Sequence, residues 1–282
     1  MKFLKEFFIK IGKIKRQWIF LIVGLSVLIP LVFPVNIPIQ PSEHSKTVYE
    51  ALNNLDTNSK ILLSFEYGPS TKPEIHPMAV GILRLLLKKN HKIYGMALWP
   101  DGLFMSEEIF KQVAEEEYNL NYGIDYVNLG FKPGNEAVVK GVASDIRKLF
   151  SKDTKGNKLE TLPIMENINN IKDFDFVFSF SAGFPGSKEW LQFATDPNKI
   201  PLSTGCTSIQ VTEVLPYVES GQIIGILAGM PGAAEFEKLI DMPGKATGLM
   251  AAQSFAHIII ILFIVLGNIH YYLTRRDKKK LL

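Results

Sequence analysis

Residues 222–240 read QIIGILAGMPGAAEFEKLI. The apolar run at 223–228 stops at a GMPG turn, 229–232, and a helix-forming run starts at Ala233. A short apolar run, a tight turn and a helix start make the βα unit of a parallel sheet. Working back from it, the same unit is legible at five earlier places, with strands expected at 60–66, 92–98, 126–131, 174–180 and 200–204. Helices are expected between them at 75–89, 106–118, 135–150, 187–195 and 208–219, and a short one at 46–55. Ser106, followed by Glu107 and Glu108, reads as a helix cap with an acidic first turn.

Strands that are nearly all apolar and separated by helices imply a parallel sheet covered on both faces. With right-handed crossovers, the expected fold is α/β: a Rossmann-like three-layer sandwich with a mainly parallel sheet of about six strands.

Two uncharged apolar stretches flank this pattern. Residues 18–35 hold no charge, and eighteen residues of helix reach about 27 Å, near the hydrocarbon thickness. Pro30 and Pro34 predict a kink or an early end there. No small-residue cleavage site follows, so a retained anchor is expected in place of a cleaved leader. The second stretch, 248–273, lies in a longer segment free of Asp, Glu, Lys and Arg, and ends at Tyr271, Tyr272, Arg275 and Arg276. The chain therefore divides into a basic amphipathic tail at 1–17, a first transmembrane helix at 18–35, and a linker with a short helix at 36–59. The α/β domain follows at 60–240, then a second transmembrane helix at 248–273 and a basic tail at 274–282.

Charge follows the same division. Residues 1–17 carry +5 and residues 274–282 carry +4, which leaves −6 for 18–273 out of a total of +3. Basic tails beside apolar spans mark the cytoplasmic side, so both termini are expected in the cytoplasm, with the central domain outside, as a two-pass protein of the cell membrane. The acidic middle argues against a nucleic-acid partner. One cysteine, Cys206, permits no internal disulfide. His257, with Ser254 and Asn268, places polar groups inside the second span, where they suit hydrogen bonding to a neighbouring helix or an interfacial position.

In open α/β sheets ligands bind beyond the carboxyl ends of the strands. There the sequence gathers Glu66, Ser70, Asp101, Lys132, Asn135, Glu136, Ser181, Thr204, Gly229 and Gly232 as candidate ligand-binding residues, although Gly and Pro are also what short βα turns need. For catalysis the candidates are Cys206, His76 and Ser181. A thiol just before a helix is set for a lowered pKa, and His76 follows the first strand's loop. Ser181 lies in FSAGF, without the G-x-S-x-G elbow, and a lone cysteine also serves as a core filler. The carboxylates of Glu66, Asp101 and Glu136 form a further acidic set.

Neither G-x-G-x-x-G nor G-x-x-x-x-G-K-[ST] occurs, so no nucleotide cofactor is implied. The five histidines and one cysteine lack zinc-site spacing, so no metal is implied. Two functions stay open. The leading one is a membrane-anchored extracytoplasmic domain acting as a binding or accessory subunit of a membrane-protein assembly. Its partners are the lipid bilayer and a membrane protein, or a second copy through the transmembrane helices. The alternative is a membrane-bound enzyme using the strand-end crevice, with Cys206 or the clustered carboxylates as its chemistry.

Overall fold

A computed structural model describes residues 7–10, 12, 14–33, 35 and 37–278, with side chains to 274. The chain forms two compact units, Ile39–Ala246 and a second made of Met1–Pro38 with Thr247–Leu282.

The Ile39–Ala246 unit is built on six strands: β1 (Lys60–Glu66), β2 (Lys92–Ala97), β3 (Tyr126–Phe131), β4 (Phe176–Ser181), β5 (Leu202–Cys206) and β6 (Ile226–Ala228). All pair in parallel in the order β3-β2-β1-β4-β5-β6. From β1 the chain winds outward one way to β3, then returns and winds the other way from β4 to β6. The sheet is doubly wound, with its switch point between β1 and β4.

In chain order the helices are α1 (Arg16–Val32), α2 (Glu43–Asn53), α3 (Lys72–Lys88), α4 (Pro100–Ile109), α5 (Glu136–Ser144) and α6 (Ile146–Leu149). They continue as α7 (Ser187–Trp190), α8 (Asp196–Asn198), α9 (Val211–Glu219), α10 (Gly229–Leu239) and α11 (Lys245–Lys278). Wider turns extend α4 over Phe110–Glu117 and α7 over Leu191–Thr195. Helices cover both sides of the sheet, as the apolar strands require. On one side α2, α3, α4 and α10 pack together over Phe65, Phe178 and Phe180. On the other, α5, α7 and α9 enclose Leu62, Val177, Leu202 and Trp190.

Several boundaries differ from expectation for local reasons. The second expected helix starts six residues early, at Pro100, where the missing N–H of proline costs nothing. Ser106 is therefore no cap. It lies buried inside α4, donates to the Leu103 carbonyl (2.7 Å) and accepts from Asn128 Nδ2 (2.9 Å), which ties the helix to β3. The helix expected at 135–150 breaks at Asp145, whose extended backbone and side chain cap Lys148 N–H (3.1 Å).

Gly229 takes a φ of +58° at the β6–α10 turn, and a Cβ on Gly232 would come within 2.8 Å of the Leu227 backbone. Both glycines are required by the turn and by the approach of helix to strand. Glu235 and Glu237 on α10 cap other helices. Glu235 accepts from Ser42 Oγ (2.6 Å) and N–H (3.1 Å) at the start of α2. Glu237, buried, accepts from Gly244 N–H (2.9 Å) and Ala246 N–H (3.0 Å) at the start of α11.

In the other unit α11 is the one helix among the described residues long and apolar enough to cross a membrane, over Lys245–Thr274, with mean hydropathy 2.4 in its most apolar 18 residues. Two such helices are expected from the sequence. The first stretch instead forms α1, a 17-residue apolar helix ending just after Pro30, shorter than the roughly 20 residues of a typical span. The amphipathic tail falls partly outside the described residues, at 1–6, 11 and 13. Within them Phe7–Lys10 is helical and Lys15 is extended, so no single helix runs from there into α1. Residues 279–282 of the basic C-terminal tail also lie outside.

Candidate functional site

The carboxyl ends of β1, β4, β5 and β6 finish level, with Glu66, Ser181, Cys206 and Ala228 in register. Strand alternation turns Ser64 and Glu66 of β1 to the same face as Ser179 and Ser181 of β4 and Thr204 of β5. This row of hydroxyls and one carboxylate lies at the switch point, in a layer otherwise filled by apolar side chains.

Glu66 is fully buried there. Ser64 Oγ donates to its Oε1, Ser179 Oγ donates to its Oε2 (2.9 Å), and the Trp190 indole N–H donates to Ser64 Oγ (2.9 Å). The row continues through Ser187, whose hydroxyl donates to Ser179 Oγ (3.1 Å) and lies 2.5 Å from Thr204 Oγ1. Burial pushes the Glu66 carboxyl up to about 8, against the lowering by Ser64, Ser179 and Trp190 and with a further rise from Glu189. At neutral pH Glu66 is mostly a neutral acid.

The loops above this layer are tied to one another. Trp99, after β2, donates its indole N–H to the Pro185 carbonyl after β4 (2.9 Å) and packs on Gly183. Ser208, after β5, donates to Glu74 after β1 (2.7 Å). Lys72 pairs with Glu108, and Lys188 with Glu213 (2.9 Å). What stays open is a cavity of about 40 Å³ lined by Ser181, Gly183, Ser187, Glu189 and Gln210, room for about one water. Ser181 Oγ lies at its wall, with its one proton within reach of the Gly183 carbonyl (3.2 Å) and Gln210 Oε1 (3.3 Å) as alternative acceptors.

Comparison with family models, with curated proteins and with solved structures finds no match to this chain.

The structure brings Glu66, Ser181 and Thr204 to the switch point, with Glu66 and Thr204 inside the core and Ser181 on the cavity wall. Cys206 is buried, and burial with nearby Glu74 pushes its thiol up to about 12, so it stays protonated at neutral pH. His76 is buried on α3. Its Nδ1 lies 3.0 Å from Tyr67 Oη, and its Nε2 lies 3.9 Å from Glu108 Oε1. Burial holds the imidazole down at about 4, against the opposing pull of Glu108. It is neutral.

Ser70 is exposed on the β1–α3 loop, and the Asp101 carboxylate lies against Gly68. Lys132, Asn135 and Glu136 sit at the far edge, after β3. There Lys132 lies over the Phe150 ring and Glu136 pairs with Lys140 (3.4 Å). Gly229 and Gly232 form the β6–α10 turn. Among the described residues no three metal-ligating side chains come together, and Glu66, Asp101 and Glu136 do not meet as a cluster.

The core partners Ser64, Ser187 and Trp190, and an apolar rim, escape the sequence reading. That rim is Phe104 after β2, Phe184 after β4 and Ile209 after β5, at 62%, 61% and 88% exposure. Of the four large apolar side chains exposed among the described residues of the domain, these three belong to the strand-end loops or the helix that follows them. The alternation of Ser64 with Glu66, and of Ser179 with Ser181, is the signal that places them on one face.

Proposed function

We propose that the chain is a membrane-anchored binding or accessory subunit. In this reading α1 and α11 both cross the bilayer, both termini are cytoplasmic, and the Ile39–Ala246 domain lies outside, where its strand-end rim docks a protein of a membrane assembly. The observation that carries it is the rim itself. The place where an open α/β sheet would take a cofactor is narrowed by Trp99 and the tied loops to a cavity of about 40 Å³, and the surface around it turns Phe104, Phe184 and Ile209 to solvent. Exposed aromatic and aliphatic anchors on a rigid base suit a protein interface. The basic tails and the acidic middle support the orientation.

Purification from the native membrane in mild detergent, followed by mass spectrometry, tests the docking. A stoichiometric membrane protein should accompany the chain and be lost from a Phe104→Ser, Phe184→Ser, Ile209→Ser variant that still folds. Equal recovery with the variant would defeat the rim. A periplasm- or exterior-active reporter fused after Lys158 tests the orientation, and an inactive reporter in a folded, inserted fusion would reverse it.

The rival reading is an enzyme. Glu66, held as a neutral acid, belongs to a hydrogen-bonded row whose Ser187 reaches a small cavity that Ser181 also lines. A turnover lost in both Glu66→Gln and Ser181→Ala, with folding intact, would favour it.

A further inference from the structure

Between Lys245 and Arg275 α11 carries no Asp, Glu, Lys or Arg, yet it holds Gln253, His257 and Asn268. The uncharged segment centres on residue 260. At 1.5 Å per residue these three side chains lie within roughly 12 Å of that centre, inside a hydrocarbon layer about 30 Å thick. All three residues are exposed. Gln253 and His257 have no hydrogen-bond partner among the described residues, and Asn268 donates only to the Ile264 carbonyl of its own helix (2.8 Å).

Their positions follow one seam. Gln253, His257, Ile260, Ile264 and Gly267 recur at alternating spacings of four and three, with Asn268 beside them. At 3.6 residues per turn the six fall within an arc of about 100°. This is the spacing of a left-handed helix pair. Gly267 has open space where a Cβ would stand, which allows close backbone approach. The seam is also distinct from the face already in use. His270 meets Phe8 and Gly12, and it lies about 110° round the helix from the centre of the seam.

We infer that this seam binds the same seam on a second copy of the chain, forming a parallel dimer within the membrane. Glutamine, asparagine and neutral histidine each carry both a donor and an acceptor. Each is therefore complementary to itself. In a parallel pair, Gln253, His257 and Asn268 each meet their own counterpart at the same depth, which satisfies polar groups that lipid leaves unpaired. The inference rests on the membrane-anchored reading but not on what the strand-end rim binds.

The test uses the full chain reconstituted at high dilution in phosphatidylcholine vesicles, with subunits counted by stepwise photobleaching. Two steps are expected. Changing Gln253, His257 or Asn268 singly to Leu should weaken the dimer about 3- to 10-fold each, and the triple variant should bleach in one step. In a Cys206→Ala background, Ile264→Cys should cross-link to its counterpart, while Leu262→Cys, on the opposite side of the helix, should not. One-step bleaching of the unaltered chain would overturn the inference, as would a dimeric triple variant or equal cross-linking at 262 and 264. Alkaline carbonate separates the two readings: release of the chain from the vesicles defeats the membrane anchor itself, whereas a retained monomer defeats only the seam.

Discussion

The indole N–H of Trp99 donates to the carbonyl of Pro185 across 2.9 Å, joining the loop after β2 to the loop after β4 over the end of β1, which lies between them. Trp99→Phe keeps the ring over Gly183 but loses this bond, and should cost about 1 kcal/mol. Trp99→Ala removes the ring as well and should cost about 2–4 kcal/mol. Urea unfolding of the two variants separates the terms. Equal stabilities would mean that the ring bears no load on the rim.

Glu66 makes stability depend on pH in a stated direction. Its folded pKa, about 8, lies above the ordinary 4.5, so the folded state holds the proton more tightly. The contribution is complete below pH 4.5 and is lost as pH rises through 8. Glu66→Gln mimics the neutral acid and should flatten this part of the profile. At pH 9 it should be the more stable protein by an amount on the order of 5 kcal/mol. Unfolding midpoints from pH 5 to pH 9 measure it, and parallel profiles for the two proteins would refute the assignment.

Cys206 should be slow to react. Its thiol is buried and its pKa is about 12, so a disulfide reagent at pH 7.5 should label it only through opening of the fold. Labelling at least about a hundredfold faster in denaturant than in buffer is the expected result. Comparable rates would place the thiol at an accessible surface.

Glu237→Ala should destabilise the domain by about 1–3 kcal/mol, because it leaves Gly244 N–H and Ala246 N–H without this acceptor at a buried helix start. Glu237→Gln keeps an acceptor oxygen and should recover part of the loss. Thermal unfolding of both variants in detergent reads the difference.

How much of this was legible before the fold is uneven for physical reasons. Parallel strands buried on both faces must be apolar runs, so β1 to β5 stand out, and the turn at Gly229 marks β6. Apolar runs do not encode their neighbours, and the order of the strands is visible only in the pairing. β6 shortens to Ile226–Ala228 because only its last residues, opposite Thr204 to Cys206, continue the ladder. The start of α4 is hidden because Pro100 resembles a loop residue, while Ser106 with two glutamates resembles a cap.

At the site, position along a strand tells which edge a residue reaches, and alternation tells which face it joins. Glu66 satisfies the first rule and reads as a loop acid. The second rule, applied with Ser64 two residues earlier, sends it beneath Trp190. Phe104, Phe184 and Ile209 carry no sequence signal at all, since nothing local distinguishes an exposed apolar side chain from a buried one.

The bond between Ser42 and Glu235 spans 193 residues of chain. α2, the first helix of the domain, rests on β6 and α10, which are made last. During synthesis α2 therefore emerges long before the surface that receives it exists, and it must wait, solvated, while five strands are produced. The domain cannot close from its beginning. Truncation anywhere before α10 should leave the N-terminal helix undocked, so this first segment reports, by its protection from protease, whether the last one has arrived.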